Sequence, residues 1–230
     1  MGRIRMVLSG LQKLTLLDFP GRIAATVFTR GCNMRCPFCH NASLVVGGAD
    51  MIPEEEFFAF LESRLGRLGG VCVSGGEPTL QADLPEFIRR IKGMGFEVKL
   101  DTNGTDPEML ASLIDGGLLD YVAMDIKSSL WRYGRVCGAD IDMGKIKKSI
   151  DILMSEKIDY EFRTTVAKPL FSKGDFVEIG KMIKGAKRYY LQGFLDSGDI
   201  VGEGISAYSE DEMRAFLGEV LPFVSNSQIR

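Results

Sequence analysis

Six short apolar runs alternate with six amphipathic stretches along this chain, and no other feature restricts its fold as much. The runs at residues 22–29, 70–74, 96–101, 121–126, 160–166 and 188–192 are predicted strands. The stretches at 53–65, 84–94, 107–114, 143–155, 175–183 and 210–223 are predicted helices. Pro53 and the three glutamates after it are start signals, with Phe57, Phe60, Leu61 and Leu65 on one face. Gly95 and the Gly116–Gly117 pair are stop signals. Strands that alternate with helices over short links imply a parallel sheet with helices outside. Six units are too few to close an eight-stranded barrel, so the expected fold is α/β, a partial (β/α)6 barrel of open TIM type. No Pro/Ser linker or low-complexity segment breaks the chain, which reads as a single domain over residues 1–230. Residues 1–21 are expected to add an extra strand or hairpin beside the first unit, with no chemical role assigned.

Three of the five cysteines and the only histidine fall on one loop directly after the first strand. Cys32, Cys36 and Cys39 have C-x3-C-x2-C spacing. Thiolates are soft ligands that select zinc or iron–sulfur clusters. A cubane cluster normally takes four cysteines, so three leave one iron open, the mark of a working metal site. Zinc would need a fourth ligand from His40, Cys72 or Cys137; His40 directly follows Cys39, which is poor geometry for the same ion, and no second cysteine pair of the zinc-ribbon kind is present. A structural disulfide suits a three-cysteine group badly. Cys72 lies in a strand of valines and reads as core, Cys137 as a spare surface thiol on a loop, which leaves one cluster only.

Composition narrows the partners. The chain has 230 residues, 45% hydrophobic and 26% charged, enough for a sizeable core. A formal net charge of −3 gives no reason to expect nucleic acid or an anionic membrane. No signal peptide, myristoylation site or stretch of ~20 apolar residues is legible. The expected location is the cytoplasm, whose reducing conditions suit clustered thiols.

Function in parallel β/α folds gathers at the C-terminal ends of strands, and each unusually polar stretch here sits at such an end. Ser74–Gly75–Gly76–Glu77–Pro78 follows the second strand: glycines let backbone approach a ligand, and the carboxylate can receive an ammonium group. Asp101–Thr102–Asn103–Gly104 follows the third, and Met124–Asp125–Ile126–Lys127 ends the fourth. Singly, these read as turns and solvated strand ends. Arg163, on the fifth strand, needs an anionic partner if buried.

The cysteine spacing, with Phe38 before Cys39, resembles the signature of radical S-adenosylmethionine (SAM) enzymes, and Cys39–His40–Asn41 resembles the activating enzymes of glycyl-radical enzymes. The strand-end stretches, in the same order, are similar to motifs of pyruvate formate-lyase activating enzyme. The chain as a whole looks most like proteins assigned as activators of anaerobic ribonucleoside-triphosphate reductase. The resemblance implies the radical SAM fold and one 4Fe–4S cluster on Cys32, Cys36 and Cys39. It implies SAM contacts from Phe38, Cys39, His40, Gly75, Gly76, Glu77, Asn103, Asp125, Ile126 and Lys127. Arg163 would meet the SAM carboxylate, and Gln192 would face adenine where relatives tend to carry histidine. His40 either touches SAM or fixes the loop. A monovalent cation, Na+ or K+, would sit among Asp101, Thr102, Met124 and Asp125, where oxygen-only ligation suits a hard ion.

The implied activity is that of a radical SAM oxidoreductase. Flavodoxin or ferredoxin would reduce the cluster, SAM would be cleaved to methionine and a 5′-deoxyadenosyl radical, and that radical would abstract a glycine hydrogen from a partner, expectedly anaerobic ribonucleotide reductase. Two rivals remain at this stage: a radical SAM enzyme acting on a small molecule, and a non-catalytic metal-binding adaptor.

Overall fold

In the computed structural model, which describes residues 6–230, all six predicted parallel strands form within one sheet. The strands are β1 (Leu8–Thr15), β2 (Ala24–Thr29), β3 (Gly70–Gly75), β4 (Glu97–Thr102), β5 (Tyr121–Asp125), β6 (Asp159–Lys168), β7 (Tyr189–Gly193), β8 (Ser206–Ala207) and β9 (Ser227–Ile229). Their order is β1-β2-β3-β4-β5-β6-β7-β9, with β8 paired to β6. From β2 to β7 every pairing is parallel, as the intervening helices require. The sheet begins at β1 and ends at β9, so the barrel is open.

The helices are α1 (Ala42–Val46), α2 (Glu54–Glu62), α3 (Leu84–Gly93), α4 (Pro107–Asp115), α5 (Tyr133–Cys137), α6 (Met143–Met154), α7 (Lys173–Met182) and α8 (Glu210–Val220). Start signals act as local chemistry predicts. The Asp106 side chain accepts from Met109 N–H, and Ser209 and Glu212 form a reciprocal capping box on α8. Outward-facing Val71, Val73, Val98, Leu100 and Val122 are wholly buried, and so are helix residues such as Phe57, Leu61, Ile88 and Ile91. Phe176 of α7 stacks on Phe216 of α8 at 4.6 Å.

Four elements lie outside the expectation: β8, β9, α1 and α5. β9 is a seventh parallel strand, hydrogen-bonded to β7, made from three residues with no apolar run. α1 and α5 are five residues each, too short to show periodicity. The expected extra strand at the N-terminus is β1, antiparallel to β2; residues 1–5 of that segment lie outside the described residues. No helix among the described residues is long and apolar enough to cross a membrane.

Candidate active site

Side chains alternate across each strand, so one face of β4 carries Val98 and Leu100 toward the helices and the other carries Lys99 and Asp101 into the barrel. The same alternation turns Asp125 of β5 and Arg163 of β6 inward, directly opposite each other in register. A cavity of about 390 Å³ opens where the strands end. Cys32, Cys36, Phe38, Cys39 and His40 line it from the cysteine loop. Gly75, Gly76 and Glu77 line it after β3, and Asp101, Thr102 and Asn103 at the end of β4. Asp125, Lys127, Arg163 and Gln192 complete it from β5, β6 and β7. One cavity therefore gathers nearly every residue singled out in the sequence.

Two expected contributors stay outside. Ile126 is fully buried; its N–H donates to the Arg163 carbonyl at 2.7 Å and its carbonyl accepts from the Thr164 hydroxyl at 2.6 Å. Met124 is fully buried under Gly104, where its side chain fills the space a Cβ would need. Cys137 is not a surface thiol. It is wholly buried at the end of α5, its carbonyl accepts from Arg35 N–H at 2.7 Å, and its thiol hydrogen-bonds Cys36. A five-residue helix too short to read from sequence folds it under the cysteine loop. Cys72 is buried as expected, but with the Lys99 ammonium 3.7 Å from its sulfur.

The Gly75–Gly76 pair serves the protein first. Gly76 N–H donates to the Thr29 carbonyl at 2.9 Å and Glu77 N–H to the Gly31 carbonyl at 2.8 Å, pinning the start of the cysteine loop. A Cβ on Gly76 would overlap the Gly31 carbonyl, so the close approach demanded of this glycine is by that loop. Beyond it, the Glu77 carboxylate is nearly inaccessible. Oε1 accepts from Thr79 N–H at 3.1 Å, from its hydroxyl at 2.5 Å and from the Thr102 hydroxyl at 2.7 Å; Oε2 accepts only from Asn103 N–H, at 2.6 Å. An ionised carboxylate has about four acceptor sites, two per oxygen, which leaves Oε2 able to accept again. Burial pushes the Glu77 pKa up against these four donors.

Asn103 links the β4 end to the cysteine loop. Its amide donates to Asn33 Oδ1 at 2.9 Å and lies 3.9 Å from the Cys32 sulfur. The free thiols respond to their surroundings: burial raises Cys32 to about 11, whereas the Cys137 hydrogen bond, helped by the Lys127 ammonium, lowers Cys36 against burial. All five cysteines are free. The lining thiols are spread along the wall; among the described residues no three His, Cys, Asp or Glu side chains are placed to hold a single ion. A cluster with one iron per thiolate takes ligands spaced apart, so the donor set suits a cluster.

Below the cysteines lies a network of buried charge. Arg163 Nε donates to Asp125 Oδ1 at 3.0 Å, and its terminal nitrogens lie 3.4 Å from Asp101 Oδ2. Lys127 pairs with Asp125 Oδ2 at 3.0 Å, Lys99 pairs with Asp101 Oδ1, and the Ser74 hydroxyl donates to Asp101 Oδ2 at 3.1 Å. Burial alone would raise both carboxyls, but Arg163, with Lys99 on one and Lys127 on the other, holds both below the ordinary range. The anionic partners that buried Arg163 was expected to need are thus on the protein. Every oxygen of the Asp101 and Asp125 carboxylates already accepts from a side chain, and the three cations around them outnumber the two carboxylates, which fits a further monovalent cation poorly.

Several contributors carry no signal of their own in the sequence. Gln12 and Asp18 reach the cavity wall from the N-terminal hairpin, where Asp18 accepts from the Thr26 hydroxyl at 2.6 Å. Thr165 lines the cavity from β6. Asp199, on the loop after β7, accepts from the Ser43 N–H and hydroxyl and holds α1 beside the cysteines. Lys99 could have been noticed as a charged residue two places from Asp101 on a strand face directed inward.

The sequence profile of the Radical SAM superfamily matches residues 26–183. A Methanocaldococcus jannaschii protein with the provisional name glycyl-radical enzyme activating enzyme is 34% identical, over 99% of this chain and 97% of its own length. Pyruvate formate-lyase-activating enzyme of Listeria monocytogenes is 34% identical over 55% of this chain and 54% of its own. A Pyrococcus abyssi protein provisionally named GTP 3′,8-cyclase is 34% identical over 59% of this chain and 45% of its own. Among solved structures, a domain of a Bacteroides vulgatus pyruvate-formate lyase-activating enzyme aligns with TM-score 0.58 at 16% identity, covering 70% of this chain and 99% of that one. Streptococcus suis SuiB bound to its precursor peptide SuiA aligns with TM-score 0.66 at 14% identity, covering 86% and 46%.

Proposed function

The chain belongs to the radical SAM superfamily, an enzyme that works with a 4Fe–4S cluster and SAM, and from that premise we propose that it activates a glycyl-radical enzyme. The observation that carries this reading is the end-to-end match, 99% of one chain on 97% of the other, to a protein so named. The similarity to the Pyrococcus abyssi protein spans 45% of that protein's length and 59% of this chain. The finer proposal, from the whole-chain resemblance in sequence, is that the partner is an anaerobic ribonucleoside-triphosphate reductase and the electron donor a flavodoxin or ferredoxin.

When bound and reduced, the cluster and SAM supply homolysis of the sulfonium–carbon bond, a reaction no side chain can perform. The chain's own residues hold and orient. Cys32, Cys36 and Cys39 are the ligands for the cluster. Glu77 Oε2 accepts the SAM ammonium group beside Gly75 and Gly76, and Asn103 steadies the Cys32 side of the loop. Three cations, Lys99, Arg163 and Lys127, face two carboxylates, Asp101 and Asp125, which leaves positive charge for the SAM carboxylate. Phe38, His40, Thr165 and Gln192 shape the remaining wall, with Gln192 able to hydrogen-bond an adenine edge. The hairpin residues Gln12 and Asp18 add polar groups to one side of the wall.

At the same end of the sheet, Leu130 and Trp131 follow β5 and Leu195 follows β7; Trp131 is 87% exposed and Leu195 82%. Large apolar side chains presented to solvent beside a catalytic mouth suit a protein partner.

The test is anaerobic. The reconstituted, reduced enzyme is mixed with SAM and a candidate reductase, and 5′-deoxyadenosine is assayed while the glycyl doublet is sought by electron paramagnetic resonance. A doublet only when all parts are present supports the activase. Deoxyadenosine made with a small metabolite and no protein partner would overturn it.

A further inference from the structure

Lys99 is the one lysine buried in the barrel interior whose role neither the cluster nor any expected SAM contact explains. It is 1% exposed. Cys72 is its register partner on β3, and Tyr121 its register partner on β5. Ala123 is the register partner of Asp101. Its ammonium reaches Asp101 Oδ1 and passes 3.7 Å from the Cys72 sulfur. A buried ammonium is tolerated only when paired, and Asp101 is its carboxylate partner. The remaining Asp101 oxygen is shared by the Ser74 hydroxyl at 3.1 Å and Arg163 at 3.4 Å. The two Asp125 oxygens are taken by Arg163 and Lys127, each at 3.0 Å. A hard cation entering this pair would share these oxygens with the donors already on them and sit beside three fixed positive charges.

We propose that Lys99 is a tethered counter-cation: its ammonium fills, from within the chain, the place that a free monovalent ion would take beside Asp101, and so positions Asp101 and Arg163 for the carboxylate end of SAM. The inference rests on the SAM-binding reading above. It makes Lys99 a positioning residue, acting through Asp101 and Arg163. It follows that the site is complete without Na+ or K+.

The experiment measures SAM affinity of the reconstituted holoenzyme by equilibrium dialysis at constant ionic strength. The salt is KCl, NaCl or tetramethylammonium chloride, the last being too large for a carboxylate-lined ion site. The wild-type Kd is expected to agree within about twofold across the three salts. A Kd weaker by tenfold or more in tetramethylammonium overturns the proposal. Lys99→Ala is expected to weaken SAM binding at least tenfold in tetramethylammonium and to regain most of it on adding K+ or ethylammonium. Wild-type affinity in Lys99→Ala in all salts also overturns the proposal. Should Lys99→Ala fail to fold, the wild-type series and the melting temperature of the metal-free wild type decide; a rise in Tm with K+ that tetramethylammonium does not give counts against it. Absence of SAM binding by the wild type in every salt would instead reject the SAM reading itself.

Discussion

Arg163 and Asp125 face each other across the β5–β6 register, with Nε 3.0 Å from Oδ1, at the point where both strands enter the cavity. The pair joins two strands of the sheet and also sets the charge of the ligand site. In Arg163→Met, Lys127 still pairs Asp125 and Lys99 still pairs Asp101, but Asp125 Oδ1 loses its donor. The substitution is therefore expected to cost about 1–3 kcal/mol in stability, read by urea unfolding of the metal-free protein, and to abolish SAM binding. Wild-type unfolding with the variant would show the pair to be inessential.

The same network sets an acid limit. Asp101 and Asp125 have folded-state pKa values below the ordinary carboxylate range, because Arg163 and the two lysines outweigh burial. A depressed acid contributes stability that is complete above its unfolded value of about 3.9 and is lost as pH falls through the folded value. These two groups should give no slope in Tm between about pH 5 and 8 and a loss below about pH 4. Arg163→Met should shrink that loss, because it raises both folded-state values toward the unfolded one while the onset near pH 4 stays where the unfolded value sets it, which a Tm series against pH checks.

Glu77 behaves in the opposite sense. Burial raises its pKa despite four donors, so the folded state holds its proton to higher pH than the unfolded chain. Its contribution favours folding at low pH and declines as pH rises from about 4.3 through the folded value. Glu77→Gln should remove that slope. It also faces an amide hydrogen or a weaker acceptor toward Asn103 N–H, for an expected cost of about 1–3 kcal/mol. SAM affinity should fall with it, because the amide cannot offer a charged acceptor to an ammonium group.

Cys137 should prove dispensable as a ligand. It lies against Cys36 but belongs to α5, outside the C-x3-C-x2-C loop. Cys137→Ser is expected to retain a full complement of iron after anaerobic reconstitution, whereas Cys32→Ser, Cys36→Ser and Cys39→Ser each lose the cluster. Iron analysis and the visible absorption of the reconstituted variants test this; loss of iron in Cys137→Ser would make it a ligand.

Trp131 and Leu195 should separate stability from partner recognition. Both are largely solvent-exposed, so Trp131→Ala and Leu195→Ala should change stability by no more than about 0.5 kcal/mol. If they dock the partner, truncating an aromatic anchor should cost about 2 kcal/mol of binding, seen as a steep drop in glycyl-radical yield at low partner concentration. SAM cleavage in the absence of partner should be unchanged.

The repeating unit, the parallel sheet and the ligand loop are legible in the residue order alone. Apolar runs of strand length, a helix opened by Pro53, helices closed by glycine, and thiols at fixed spacing are local patterns, and local patterns survive in a one-dimensional reading. They put Cys32, Glu77, Asn103 and Asp125 at strand ends, the family resemblance added Arg163 and Gln192, and all six line one cavity. What only the tertiary structure decided depends on pairings between distant residues. Whether Arg163 meets a ligand or Asp125 is fixed by the β5–β6 register. Whether Lys99 faces water or the barrel interior depends on neighbours brought in by β3 and β5. The burial of Cys137 against Cys36 depends on where a five-residue helix docks, and the place of Asp18 on the cavity wall on an antiparallel pairing of β1 with β2. Charges and thiols have no fixed role in a sequence, because their energy is set by which opposite charge or sulfur the fold brings within a few ångströms.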